Sequence, residues 1–318
     1  MARFDVTIAG ELNLDLILYG VPEEIPRERE LLASDLSLTL GSSSAIVAHN
    51  LASLGSRVGF LACIGDDSFG ELALARLSAA RVDVGKVSVL PGRKTGLTVI
   101  MQRTSWRNML TYSGTIFDLR IENLDLDYLA SARHFHLSSF YLQRGLRPSV
   151  PELLKKLKSA GLTTSLDCND DPDGHWDGGI REALKYVDIF LPNAREAMLL
   201  TKTANAQAAA KELAQAVPLV IVKLGAEGAL ALRGEEQWSS PALRIEVVDP
   251  VGAGDSFDAG FLHEYLKGSD VQACLSAGNL AGALSVTRAG GTEAFRDVAH
   301  RERFLRDHRV SLINPSRM

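Results

Sequence analysis

The 318-residue chain is 46% hydrophobic and 23% charged, which supplies a large core and excludes a disordered protein. Its 34 basic and 39 acidic side chains leave a net charge of −5, which offers no broad attraction for nucleic acid or for an anionic membrane surface. Three scattered cysteines (Cys63, Cys168 and Cys274) suit neither a disulfide framework nor a metal cluster, no run approaches membrane-spanning length, and the first residues lack a signal peptide's apolar stretch, so a cytoplasmic protein with a small-molecule partner is expected.

In chain order, residues 6–9 read as a short buried strand, and 12–19 as a second strand with Asn13 and Asp15 projecting from the same face. Pro22, Pro26 and the charges from Glu23 to Glu30 mark a loop, and residues 36–40 alternate as a half-exposed strand does. A helix over 44–54 ends at Gly55, a strand follows over 58–64, and a helix spans 69–80. Residues 95–112 predict a hairpin turning at Ser105-Trp106-Arg107-Asn108, outside the α/β rhythm, with Arg103 and Arg107 as solvated residues.

The rhythm then resumes, with strands at 134–138, 163–166, 188–191 and 219–223 and helices at 149–159, 178–186, 194–200 and 206–215. A hairpin-like pair at 229–232 and 237–248 follows, then a helix opening at Asp255, a helix over 270–286 and a charged helix with Phe304 and Leu305 inward. Strands alternating with helices imply a mostly parallel sheet covered on both faces, an α/β fold with no linker separating two equal domains. Asn13, Asp15, Asp66, Asp167, Asn169, Asn193 and Asp249 fall at or just after strand ends, where open parallel sheets hold ligands.

The most informative segment is Asp249-Pro-Val-Gly252-Ala253-Gly254-Asp255-Ser-Phe257. Leu243 to Val248 reads as a strand that Pro250 terminates, and the apolar spacing of Phe257, Phe261, Leu262, Tyr265 and Leu266 reads as a helix. Unpartnered N–H groups at a helix start, with glycines that let a phosphate approach, form an anion site. Asp255 would repel that anion unless it takes a proton from an attacking hydroxyl, which is the need of phosphoryl transfer. The bland alternative, an ordinary turn with Asp255 as a helix cap, fits these few residues equally well.

Seven ordered stretches together resemble the ribokinase, or PfkB, family of carbohydrate kinases over nearly the whole chain. They are Asp249 to Gly260 (DPVGAGDSFDAG), Gly10-Glu-Leu-Asn13-Leu-Asp15, Gly41 to Gly55, Ile64 to Gly70, Asn193-Ala-Arg-Glu196, Lys223 to Gly228 and Ser276 to Asn279. The resemblance implies one ribokinase-like domain over 1–318, with a small β-sheet lid from about 16–40 and 95–112 that closes over a sugar and pairs two subunits as a homodimer. It implies ATP and Mg²⁺ as cofactors, Asp255 as the base, and the Gly252, Ala253 and Gly254 amides as the anion hole. Asn13, Asp15, Gly41, Ser42 and Asn169 would meet the acceptor; Asn193 and Glu196 would hold Mg²⁺ waters and phosphate, although their spacing is also that of a capping box. Lys223, Gly225, Gly228 and Asn279 would meet the nucleotide. Asp249 with the carbonyls of Val251, Val286, Ala289 and Gly291 matches a site for K⁺ or another monovalent cation.

Ile46 stands where such relatives carry an acceptor-binding Asn, and Ser42 to Ser44 either replace its contact or cap a helix. The acidic run Asn169-Asp170-Asp171-Pro172-Asp173 would repel carboxylate or phosphate, which favours a neutral acceptor. His175 and Trp176 read as structural. A nucleoside kinase of the same family and a non-catalytic sugar or nucleotide sensor remain open. A nicotinamide-dependent oxidoreductase does not, because Ile8-Ala-Gly-Glu-Leu-Asn lacks the G-x-G-x-x-G turn, and no Walker sequence is present.

Overall fold

The computed structural model describes residues 2–103 and 106–313, so Ser105 at the expected hairpin tip lies outside the described residues. The first half runs β1 (Phe4–Ala9), β2 (Asn13–Tyr19), β3 (Asp35–Leu40), α1 (Ser43–Ser53), β4 (Val58–Leu61), β5 (Cys63–Gly65), α2 (Ser68–Ala79), β6 (Ser88–Leu90), β7 (Gly96–Gln102) and β8 (Arg107–Tyr112). It continues with α3 (Leu126–Ala130), β9 (Ala132–Leu137), α4 (Val150–Ser159), β10 (Thr163–Leu166), α5 (Ile180–Leu184), β11 (Ile189–Phe190), α6 (Ala194–Thr201), α7 (Ala206–Leu213) and β12 (Leu219–Lys223). The last elements are β13 (Ala229–Arg233), β14 (Glu236–Ser240), α8 (Ala253–Leu266), α9 (Val271–Ser285), α10 (Glu293–Arg296) and α11 (Val298–Ile313).

Eight strands form the main sheet in the order β14-β13-β12-β11-β10-β9-β1-β4, parallel from β12 to β4 and antiparallel at the β13–β14 end. Period-2 alternation divides the core into two layers: β12 gives Val220 and Val222 to the layer under α3 to α7, and Leu219 and Ile221 to the layer under α1, α2, α8 and α9. This is the mostly parallel α/β sheet with helices on both faces that the residue pattern implies, together with a smaller second sheet.

That second sheet has the order β3-β2-β7-β8 and draws on the segments 16–40 and 95–112. Its register sets Asp15 beside Thr98 and Leu16 beside both Leu38 and Val99. Alternation therefore sends Asn13, Asp15, Thr98 and Arg107 to one face and Leu16, Leu18, Leu36, Val99 and Leu110 to the other.

Three expectations change. The strand over 58–64 breaks into β4, in the main sheet, and β5, which pairs with β6. The second strand of the 237–248 pair ends at Ser240, and 241–248 is extended chain outside any sheet. Its apolar alternation serves a cavity wall rather than a ladder, with Leu243, Ile245 and Val247 lining the space beside α8. The helix over 178–186 shortens to α5 because Gly178 and Gly179 lie at φ +73° and +89°.

Candidate active site

Helix α8 begins at Ala253, two residues before the expected start, behind Gly252 at φ +73°. Alanine at 252 would also put its Cβ 2.4 Å from Gly291 Cα, so this glycine is obligatory on two counts. Asp249, nearly fully buried, locks the turn: its Oδ1 accepts from Val251 N–H at 2.9 Å, and its Oδ2 from Gly290 N–H at 2.9 Å and the Tyr19 hydroxyl at 3.2 Å. Ala253 N–H donates to Pro250 O at 3.3 Å, while those of Gly252, Gly254 and Asp255 have no partner among the described residues. Two of the three amides assigned from sequence are thus available to a ligand, and Asp255 adds a third.

The turn is the wall between two cavities. One, about 470 Å³, is lined on the α8 side by Pro250, Ala253 and Gly254, and elsewhere by Lys223, Gly225, Gly228 and Asn279 with the apolar Leu243, Ile245 and Val247. Its largely apolar walls with a few polar groups suit a nucleotide. The other, about 510 Å³, is lined by Val251, Gly252 and Asp255, and across from them by Asn13, Asp15, Ser42, Asn169, Asn193 and Glu196. Gly41 stands behind it, where a Cβ would lie 2.2 Å from Asp15 Oδ1.

Carboxylates crowd the second cavity, and their titration is displaced accordingly. Burial and then the charge of Asp167 push Asp255 up to about 6, with the Ser43 hydroxyl opposing. Burial and then Asp255 push Asp15 up to about 7. Burial and then Asp167 push Glu196 up to about 7. Beneath α8, Lys223 Nζ lies 2.7 Å from Asp167 Oδ2 and 3.1 Å from both oxygens of Asp258. Burial disfavours charge on Asp167, but the ammonium overrides it and holds the carboxyl below its usual range; burial keeps Asp258 well above its own. The Lys223 charge is thus matched first by Asp167, and Asp258 is the harder of the two carboxyls to ionise.

Several expected ligands are engaged inside the protein. Asn193 and Glu196 form the capping box: Asn193 Oδ1 accepts from Glu196 N–H and Glu196 Oε2 from Asn193 N–H, both at 2.9 Å. Asn279 Nδ2 donates to the carbonyls of Ser240 and Pro241 at 2.9 and 3.1 Å, so it shapes the first cavity by fixing that loop. Ser42 caps α1 through Ala45 N–H, and Ser43 accepts from Asn169 Nδ2. Ile46 turns its side chain toward Gly291 and Gly252, behind the anion turn.

Asp167, Cys168 and Glu196 place ligand atoms within 4.8 Å of one another. A buried thiol and a lysine-paired Asp do not suit Mg²⁺, which prefers oxygen and retains waters; the cavity edge of Glu196 does suit those waters. The monovalent-cation set is partly engaged within the protein. Val286 O accepts from Val248 N–H at 2.8 Å and Asp249 N–H at 3.3 Å, Gly291 O accepts from Asn50 Nδ2 at 3.0 Å, and the Asp249 carboxylate accepts from three donors. Ala289 borders a separate shallow pocket with Thr39.

Corrections follow for the charged residues. Arg103 is not solvated: it is buried, lies 4.0 Å from the Trp106 ring centroid and donates to Pro22 O. Arg107 lines the second cavity, with its Nη1 buried and without a hydrogen-bond partner among the described residues. The acidic run is largely neutralised, with Asp170 paired to Arg195 at 2.6 Å, Asp173 to Arg144 at 2.9 Å, and Asp171 accepting from the amides of Asp173, His175 and Trp176. Residues that the pattern reading passed over include Glu11, buried against Ser44 at the cavity floor, and Asn50, whose Nδ2 reaches Ser256 Oγ at 2.9 Å. Asp258 was the most legible of them, one turn beyond Asp255 on the same helix.

Residues 3–297 match the model of the pfkB family of carbohydrate kinases. The chain is 28% identical over 243 residues to an uncharacterized sugar kinase of Archaeoglobus fulgidus, covering 76% of this chain and 96% of that one. It is 27% identical over 313 residues to the deoxyribokinase of Salmonella typhi, covering 95% and 98%. Among solved structures it is similar to an E. coli protein in complex with ATP and Mg²⁺, 26% identical with a TM-score of 0.83, covering 96% of this chain and 100% of that one.

The two glycines of the turn separate fold from ligand. Gly254→Ala meets nothing closer than Lys223 Nζ at 3.7 Å, so its thermal midpoint should match the wild type while nucleotide affinity drops. Gly252→Ala should lower the midpoint by several degrees, as about 1–3 kcal/mol of backbone and steric strain requires. Equal midpoints for both variants in a thermal melt would contradict this account of the turn.

Proposed function

The chain belongs to the pfkB family of carbohydrate kinases, and on that premise we propose that it transfers the γ-phosphate of ATP to a hydroxyl of a neutral sugar or sugar-like small molecule. The observation that carries this reading is one helix start with free amides standing between two cavities, its carboxylate on the acceptor side. The nucleotide occupies the cavity beside Gly254, and the acceptor occupies the cavity beside Asp15. Asp255, ionised above about 6, takes the hydroxyl proton as the oxygen attacks. The amides of Gly252, Gly254 and Asp255 receive charge gathering on the transferred phosphoryl group, so catalysis is positioning plus electrostatics. Mg²⁺, when bound with the nucleotide, offsets phosphate charge, and Glu196 with Asn193 would hold its waters. Asn13, Asp15 and Thr98 address acceptor hydroxyls from the small sheet, which acts as a lid that excludes water.

The outer lid face carries Leu16, Leu18, Leu36, Val99 and Leu110, with Leu36 and Leu110 60% and 68% exposed. A second copy of the chain covers it, since a two-fold interface needs only a self-complementary patch and this patch is apolar apart from Asn108. A second acceptor reading, a sugar bearing carboxylate or phosphate, is favoured by the unpartnered Arg107 Nη1.

Asp255→Asn should keep its fold and nucleotide affinity while kcat falls about 10²–10⁴-fold in an ATP-coupled assay; near-normal turnover would refute the assignment. Wild-type kcat/KM should rise with pH through a limb between about 6 and 7, as Asp255, Asp15 and Glu196 ionise. In a panel of sugars, polyols, nucleosides and sugar acids, Arg107→Gln should leave neutral acceptors nearly unchanged; a selective rise in KM for acids establishes the second reading. Leu110→Lys should shift sedimentation from dimer to monomer, and an unchanged sedimentation coefficient would count against the lid interface.

A further inference from the structure

On the side of α8 away from both cavities, α1, α2 and the α10–α11 corner enclose a groove of about 560 Å³. Four guanidiniums line it: Arg76, Arg81, Arg296 and Arg301. Glu293 is their one carboxylate partner among the described residues, lying 2.9 Å from Arg76 and 2.6 Å from Arg296. Arg301 donates to the Phe295 carbonyl at 2.6 Å, and Arg81 has no partner among the described residues. Four cations facing one anion, in a chain of net charge −5, are a local surplus that the overall composition does not explain.

Two further observations point to a ligand. His49, 1% exposed, is a wall of the groove; its Nδ1–H donates to Asn50 Oδ1 at 2.8 Å and burial pulls its pKa down to about 4, so its Nε2, unpartnered among the described residues, is a neutral acceptor for a ligand hydroxyl and adds no charge. Arg81 follows the end of α2 at φ +68°, a position where glycine or asparagine would sit with less strain, and its long cation extends the basic wall.

We propose that this groove binds a small phosphate-bearing anion as an effector of the kinase. Guanidinium forks are matched to phosphate oxygens, and the groove is large enough for a phosphorylated small molecule. Its walls connect to the reaction site by contacts at both ends. His49 holds Asn50, whose Nδ2 reaches Ser256 Oγ and Gly291 O, next to the base and behind the anion turn. Arg76 Nη2 donates at 2.8 Å to Leu38 O, on the lid strand β3. An anion that draws on Arg76 and donates a phosphate O–H to the neutral His49 Nε2 thus bears on β3 and the turn together, and by linkage nucleotide and effector change each other's affinity by the same factor.

The effector part rests on the kinase reading; the binding part does not. The test is calorimetric titration of inorganic phosphate into protein saturated with a non-hydrolysable ATP analogue and Mg²⁺, which fills the anion turn. Wild type should bind one phosphate, Arg81→Asn about tenfold more weakly, and Arg81→Asn/Arg301→Gln not at all. Arg81 is exposed and Asn suits its backbone, so the single variant should melt like the wild type and keep its phosphate-free turnover. No phosphate heat in wild type, or equal affinity in Arg81→Asn, overturns the proposal whatever the catalytic result. Phosphate should also shift KM for ATP in wild type but not in Arg81→Asn, and a shift of equal size in both would remove the effector role while leaving the kinase reading intact.

Discussion

A helix start that the protein declines to satisfy is the constraint on which the structure depends. The amides of Gly252, Gly254 and Asp255 have no acceptor among the described residues, and leaving such donors unpaired costs free energy that a bound anion would restore. Holding them in place takes support from three sides. Asp249 pins the turn and ties it to Tyr19 of the lid strand β2. Asn50 braces Ser256 and Gly291 from behind, and Lys223 stands beneath, neutralised by Asp167. A buried ion pair adds little net stability, but losing one partner strands the other charge, so Lys223 and Asp167 fix geometry more than they lower energy.

The second constraint is carboxylate crowding. Glu11, Asp15, Glu196 and Asp255 share one cavity, and each is harder to ionise than a free carboxyl, Glu11 through burial and the other three through burial and then neighbouring carboxylate charge. The folded state therefore holds protons that the unfolded chain releases from about pH 4. For this group of residues, stability declines as pH rises from there through the folded values of about 6 to 7. The same displacement brings Asp255 up to about 6, where the proposed base role needs it. An acceptor whose hydroxyls donate to these oxygens, or a cation beside Glu196, relieves the repulsion, so occupancy and stability are coupled at this site.

What could be read from sequence follows from which interactions are local. The anion turn was legible because glycine spacing, Pro250 and the apolar period of α8 all act within a dozen residues. The parallel sheet was legible because residues such as Val220 and Ile221 supply both faces with apolar side chains. Leu243 to Val248 misled because a chain lining a ligand cavity on one side alternates just as a strand does. Lys223, Asp167 and Asp258 meet only through the sheet order that brings β10 and β12 near α8, and nothing in their separate surroundings announces a triad. Glu196 carried two meanings, cap and ligand holder, and the capping geometry is formed without removing its cavity edge.

The small sheet shows the same limit more sharply. Alternation identified β2, β3, β7 and β8 as strands with two unlike faces, yet period 2 cannot say which face meets the ligand. Register decides it. With Asp15 beside Thr98, the polar side chains and Arg107 must share the cavity face, and the leucines must share the outer one. Arg107 looked like a solvated residue because it stands in the expected Ser105-Trp106-Arg107-Asn108 turn. Its role depends instead on a partner strand, and the unpartnered guanidinium nitrogen it brings to the acceptor cavity is a consequence of strand pairing that no local window contains.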